Sequence, residues 1–205
     1  MNSYYPIMLR LEGKRVVVVG GGKVAERKVK GMLETDAQIT LISPEAGAFI
    51  QVLAGEGKIV WHQRAFEPAD VEGAVLIFAA ANDRKVNQLI KAAAGEHQWV
   101  NVADDPEGSD FHVPARIERG RLNIAISTGG ASPSLARRIR EQLEQQFAPS
   151  YGDYLEFLFI KRQWILSHVE DELLKNKLLA AITDPKFLDC PDREAAFQQL
   201  YNELI

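Results

Sequence analysis

The chain has 205 residues, room for one medium domain plus an appendage or for two small ones, and its 46% hydrophobic share is ample for a buried core. A net charge of −4 gives no broad basic surface of the kind nucleic acid selects, and the longest apolar runs, such as 16–19 and 74–81, are far too short to span a bilayer. A single cysteine, Cys190, excludes an internal disulfide framework. With an N-terminus that lacks the basic start and apolar middle of a signal peptide, it leads us to expect a cytoplasmic protein with neither nucleic-acid nor membrane partners.

In chain order, residues 15–19 read as a strand fit to be buried on both faces, because every position after Arg15 is valine. Three glycines follow, and a helix is expected over 24–34. A second strand over 38–42 stops at Ser43-Pro44. Further strands are expected over 58–63, 75–80 and 99–102, with a helix over 84–96 before the last. Strands separated by helices imply parallel pairing, since a parallel neighbour needs a crossover. The expectation is therefore α/β: a Rossmann-type doubly wound parallel sheet over residues 1–112.

The pattern changes after Asp104, where Asp105-Pro106-Glu107-Gly108-Ser109 is turn chemistry. Two strands, 112–119 and 122–127, are expected to turn at Arg119-Gly120, and with the helix that follows they form a small α+β dimerisation region over 113–147. That helix starts at Pro133, capped by Ser132, and runs to about Phe147 with Leu135, Ile139 and Leu143 as its buried stripe. Residues 148–152 read as a hinge. The remainder, 148–205, reads as a helical C-terminal tail in which Ile165, Val169 and Leu173 share a face. It is expected to pack on the rest of the chain or on a second subunit.

Gly20-Gly21-Gly22-Lys23-Val24-Ala25 fits G-x-G-x-x-A directly after a strand and at the start of a helix. Gly20 permits the tight turn, Gly22 lets the backbone approach a pyrophosphate, and Ala25 keeps the helix close to the sheet. The helix N-terminus offers free N–H groups and partial positive charge to phosphates, so Lys23 and Val24 join the candidate cofactor contacts. A ligand-free glycine turn is the alternative. The ribose position at the end of the second strand holds Ser43 and Pro44 in place of the usual acid, with no arginine nearby to welcome a 2′-phosphate, and this favours NAD over NADP.

Six stretches together are similar to the precorrin-2 dehydrogenases of siroheme biosynthesis, some of which also insert iron. They are Tyr5-Pro6-Ile7 with Leu11; 19–28 around the glycine turn; Ala79 to Asp83 with Val86-Asn87; Asn101 to Asp104; Phe111 to Pro114; and Ser127 to Arg137. The resemblance implies that NAD accepts a hydride from precorrin-2 while a proton is lost, giving sirohydrochlorin. It also implies a homodimer with its interface in the segment after the Rossmann unit, and in bifunctional members the entry of ferrous iron. The methyltransferase fused to some relatives is not expected here.

Beside that resemblance, Asp104 follows the fifth strand at the carboxyl edge of the sheet, where open α/β sheets place ligands, and can take the released proton or steer a metal. It matches the family's functional aspartate, although it could also merely open the turn that Asp105 supports. The substrate implied by the resemblance carries eight carboxylates, so arginines after the sheet are candidate contacts. Arg116 and Arg137 are chosen, with the loop Thr128, Gly129, Gly130 and Ser132 as a second anion site at a helix start. Solvated surface charge and an ordinary capped helix are the alternatives. Ala80 and Asn82 end the fourth strand with room for a cofactor, or simply pack tightly. No metal cluster is expected; Asp104 and the lone His112 are the only iron-handling candidates. A non-catalytic NAD-sensing regulatory module is the rival reading.

Overall fold

Four valines in succession have no polar face, so the strand they form must be covered on both sides. β1 (Arg15–Val19) is the centre of a five-stranded parallel sheet ordered β3-β2-β1-β4-β5, with β2 Gln38–Ile42, β3 Val60–His62, β4 Leu76–Ala79 and β5 Trp99–Val102. The computed structural model describes residues 4–205, which fall into two compact units, one ending at Val113 and the other Pro114–Ile205.

Side chains alternate across the sheet, and both faces are buried. Val16, Val18, Leu41 and Phe78 meet Ala25 and Val29 of α1 (Lys23–Lys30) and Ile50 and Leu53 of α2 (Ala48–Gly55). Val17, Val19, Ile77 and Val100 meet Ile90 of α3 (Arg84–Ala93). The strands end level: Val19 lies opposite Ile42 on one side and Ala79 on the other, and Ala79 lies opposite Val102. Gly20, Ser43, Ala80 and Ala103 therefore line one carboxyl edge. The ladder carries on past the strands, through Gly20 N–H to Ile42 O at 2.9 Å, Ala80 N–H to Val19 O at 2.8 Å and Ala103 N–H to Ala79 O at 2.9 Å.

Several boundaries differ from the sequence expectation. α1 closes at Lys30 rather than 34, because Gly31 caps it and a short 3₁₀ turn leads to Asp36 in the left-handed region (φ 53°). α2 was not expected at all: Ala48–Gly55 carries no charge, so no polar face marks its period. β3 is a three-residue edge strand instead of 58–63, and α3 ends at Ala93, where Ala94 turns extended.

In the second unit, β6 (Ala115–Arg119) and β7 (Leu122–Ile126) form an antiparallel hairpin closed by Gly120 at φ 56°. The strand begins at 115 rather than 112, since Pro114 has no N–H to give a ladder. α4 (Pro133–Gln146) is capped as expected, Leu135 N–H donating to Ser132 Oγ at 3.2 Å. Its expected stripe is not buried within the chain: Leu135 is 38% exposed, Ile139 and Leu143 are half-buried, and Ala136 is the residue enclosed. The expected hinge 148–152 contracts to Ala148-Pro149, because α5 (Ser150–His168) already begins at Ser150. α6 (Glu172–Ala181) and α7 (Arg193–Leu204) complete a helical cluster with a core of its own, built on Tyr154, Ile165, Leu178, Phe187 and Phe197. Val169 is the extended cap of α5, so the expected face breaks there and Leu173 is left 75% exposed.

Candidate active site

The three glycines at the end of β1 are of two kinds. Gly20 sits at φ +120°, and a Cβ there would come within 2.3 Å of the Ala80 carbonyl oxygen. At Gly21 a Cβ would lie 1.9 Å from the Glu45 carbonyl oxygen, and the Gly21 carbonyl accepts from Gly47 N–H at 3.2 Å. Both are glycine because neighbouring backbone passes too close for a side chain. Gly22 is unlike them. Its backbone is ordinary extended chain (φ −87°, ψ −176°), and a Cβ would meet nothing within 4 Å.

Among the described residues no atom demands glycine at position 22, and the approach to the start of α1 is open. Gly22 is also the N-cap of α1 and supplies no side-chain cap, which leaves first-turn N–H groups for an anion. Lys23 and Val24 are exposed beside it, and Ala25 is fully buried against the sheet. One turn on, Lys28 is half-buried with its ammonium 5.2 Å from the centre of the Phe78 ring, and burial, helped by the Arg27 charge, lowers its pKa from 10.5 to about 8.

After β2, Ser43 Oγ donates to the Glu45 carbonyl at 2.7 Å, and the Ser43 carbonyl accepts from Trp61 Nε1 at 3.0 Å. The hydroxyl is thus held in place with lone pairs still available to a ribose hydroxyl. Pro44 and Glu45 are exposed next to it. An open glycine, an uncapped helix start and a fixed hydroxyl at one sheet edge fit a dinucleotide.

After β4, Ala80 is buried and Asn82 is exposed, while Asp83 caps α3 by accepting from Lys85 N–H at 2.8 Å. Asp104 stands two residues beyond β5, exposed, with its Oδ1 accepting from Asn87 Nδ2 at 2.7 Å. The same Asn87 amide clamps Ala81, accepting from its N–H and donating to its carbonyl, both at 3.0 Å. Sequence reasoning gave Asn87 no role. The available signal was a polar residue three before Ile90, on the face of α3 turned to the sheet, where it is 1% exposed. A shallow cavity of about 210 Å³ opens at this point, bounded among others by Arg84, Asn87, Gln88, Lys91, Asp104 and Asp105. Lys91 is paired with Asp110 at 2.5 Å, and Asp105 serves the turn by accepting from Gly108 N–H at 3.0 Å.

The remaining candidates belong to the Pro114–Ile205 unit. Arg116 pairs with Glu118 at 3.0 Å, and Arg137, largely exposed, pairs with Glu141 at 2.8 Å. The loop before α4 is closed on itself: Thr128 Oγ1 donates to the Ser132 carbonyl and accepts from Ser132 N–H, both at 3.1 Å. Gly129 and Gly130 take φ of 58° and 84° with no atom near a would-be Cβ. Ser132 Oγ is occupied as the helix cap. His112 lies at the end of the first unit, its Nε2 2.6 Å from Tyr4 Oη with the rings edge to face. Among the described residues no group of three or more His, Cys, Asp or Glu side chains converges on one point.

Residues 7–115 match the family described as "Putative NAD(P)-binding", and residues 119–146 match the one described as "Sirohaem biosynthesis protein central". The chain is 36% identical to a precorrin-2 dehydrogenase of Priestia megaterium, over 89% of this chain and 91% of that one. It belongs to the precorrin-2 dehydrogenase family. The solved structure of SirC, a precorrin-2 dehydrogenase, superposes with a TM-score of 0.85 at 34% identity, covering 98% of this chain and all of that one. Siroheme synthase 3 of Aeromonas hydrophila is 44% identical over 76% of this chain, which spans 33% of that longer protein. As a member of the family, the chain is an oxidoreductase with a nicotinamide dinucleotide cofactor, and a purely regulatory role is not the favoured reading. No helix among the described residues is long and apolar enough to cross a membrane.

Proposed function

We propose that the chain oxidises precorrin-2 to sirohydrochlorin with NAD. The observation that carries this reading is the shared edge of the sheet: the open Gly22 turn after β1 and the Asn87-anchored Asp104 after β5 sit at the carboxyl ends of strands that end level. Open α/β sheets bind ligands in the crevice at that edge, beside the point where strand order reverses, here between β1 and β4.

When bound, the nicotinamide cofactor supplies the hydride acceptor. The chain's own residues do the rest. Gly20, Gly22, Lys23, Val24 and Ala25 hold the pyrophosphate against the start of α1, Ser43 and Pro44 meet the ribose, and Ala80 and Asn82 flank the cofactor at the end of β4. The Ser43-Pro44-Glu45 sequence offers a hydroxyl and a carboxylate rather than a cation to the ribose, which supports NAD over NADP. Asp104 takes the proton that precorrin-2 loses as its hydride departs. Two hydrogens leave the substrate, one as hydride and one as a proton, so the reaction balances without another oxidant.

Arg116, Arg137 and the 128–132 loop meet the substrate carboxylates. The open Leu135 side chain, with Ile139 and Leu143 only half-buried along the same face of α4, supports a homodimer through this region. The lone Cys190 fits a cytoplasmic enzyme. The test is NADH formation from precorrin-2 and NAD, monitored by absorbance. No enzyme-dependent NADH would sink the assignment. Repeating it on sirohydrochlorin with ferrous iron and no NAD tests whether iron insertion, with Asp104 or His112 handling the metal, is a second activity.

A further inference from the structure

We infer that Asn87 is a positioning residue for this oxidation, its side-chain amide fixing which oxygen of Asp104 receives the proton. The inference rests on the precorrin-2 reading. Asn87 lies inside α3, 1% exposed, where asparagine is a mediocre helix former and a buried amide needs every partner. It has them. Ala81 N–H donates to Asn87 Oδ1 at 3.0 Å, and Nδ2 donates to Ala81 O at 3.0 Å and to Asp104 Oδ1 at 2.7 Å.

The three bonds allow one orientation only. Flipping the amide would set N–H against the Ala81 N–H and set oxygen against both the Ala81 carbonyl and the Asp104 carboxylate. Nδ2 is therefore always offered to Asp104 Oδ1, so Oδ2 is the oxygen left for the substrate's proton. Asp104 needs such a guide, because it is exposed and sits on a turn rather than in a strand. One amide also ties together the ends of β4 and β5, so the backbone flanking the cofactor and the acid meeting the substrate move as one.

The experiment takes Asn87→Ser and Asn87→Asp in the full chain, each alone and combined with Asp104→Ala. Asn87→Ser removes the guide: kcat for precorrin-2 oxidation falls about 10- to 100-fold, the size of effect expected when a reacting group loses its orientation. NAD affinity measured by calorimetry changes far less than kcat, because the pyrophosphate is gripped at the glycine turn. A role confined to folding would lower the melting temperature and leave the kcat of the folded fraction intact.

Asn87→Asp keeps an acceptor for Ala81 N–H but faces the Asp104 carboxylate with another. Its melting temperature drops, partly because a buried carboxylate now faces the Ala81 carbonyl, and Asp104→Ala restores the part due to the facing carboxylates, so the two changes are not additive, a coupling expected for side chains in contact. Unchanged kcat in folded Asn87→Ser, or melting changes of Asn87→Asp and Asp104→Ala that simply add, overturns the proposal. If the unmodified enzyme makes no NADH from precorrin-2, the dehydrogenase reading itself fails and Asn87's role in it with it, whereas the melting cycle still reads the contact.

Discussion

Replacing Gly22 by valine should weaken cofactor binding at least roughly 10-fold at little cost to the fold, whereas replacing Gly20 by alanine should destabilise the fold itself. At Gly22 the backbone angles are those any residue adopts, and a Cβ meets no atom within 4 Å. The substitution forgoes glycine at a helix N-cap, so its cost to folding is about 0.5–1 kcal/mol. The branched side chain fills the space over the first turn of α1 and holds a pyrophosphate away from N–H groups. Losing one charge-assisted hydrogen bond of about 1.5–3 kcal/mol raises the Kd for NAD roughly 10- to 150-fold, and losing two takes it beyond detection. At Gly20, φ of +120° and an overlap at 2.3 Å with the Ala80 carbonyl force the ends of β1 and β4 apart. Strain and overpacking together cost about 2–6 kcal/mol, a fall of roughly 5–20 °C in Tm for a chain of this size. Titration calorimetry with NAD and thermal melts of the two variants separate these effects. Wild-type NAD affinity in Gly22→Val would refute the reasoning, as would a melting loss comparable to that of Gly20→Ala.

Asp104→Ala should retain NAD affinity and lose about 10²–10⁴-fold in precorrin-2 turnover, the usual worth of a positioned base; single-turnover NADH formation at wild-type rate would remove Asp104 from the chemistry. Leu135→Asp puts a charge on the open stripe of α4 and is expected to give a folded monomer from a dimer, as read by sedimentation equilibrium. Lys28→Met should stabilise the protein at neutral pH. Burial holds the Lys28 ammonium near pKa 8, whereas the unfolded chain titrates at about 10.5. Between those values the unfolded state keeps a proton the folded state has released, so Lys28 burdens folding fully below about pH 8 and ceases to do so above about pH 10.5. The methionine variant gains on the order of 1–3 kcal/mol at pH 7, and the advantage shrinks as pH rises through that window. Denaturant melts at pH 7 and 10.5 check it; a gain independent of pH would rule out the titration as its origin.

What could be read from the chain followed from how strongly each segment depends on its own residues. Arg15–Val19 and Trp99–Val102 are legible to the residue, because short valine-rich runs bounded by turn residues leave little choice. Ala48–Gly55 was invisible as a helix: its exposed Phe49 and Val52 are as apolar as its buried Ile50 and Leu53. Ser150-Tyr151-Gly152 looks like a break but opens α5, since a helix start accommodates Pro149 and small residues that its interior would not. At the site, the places of the glycine turn and Asp104 at the carboxyl edge were legible, because each closely follows a strand that the chain announces. The clamp by Asn87 was not, because it depends on β4 and β5 lying side by side, which no spacing along the chain encodes.

That adjacency is itself secured from outside the sheet. β5 is an edge strand, and an edge strand with unpaired N–H groups is free to shift or fray. Here the returning segment covers it: Val100 N–H donates to Asp110 Oδ2 at 2.8 Å, Val102 N–H to Ser109 Oγ at 2.9 Å, and Asn101 Nδ2 to the Phe111 carbonyl at 3.0 Å. Burial opposes the charge on Asp110, but the Lys91 ammonium and the Val100 N–H outweigh it and hold its carboxyl below the usual carboxylate range. Asp110 therefore stays ionised as an acceptor near neutral pH. A one-residue slip of β5 would turn Val100 and Val102 out of the core and carry Asp104 away from Asn87. The side chains of the Asp105–Ser109 turn and the residues after it thus do the work of a sixth strand, and the position of the acid relative to the glycine turn is fixed by strand register on one side and by this cover on the other.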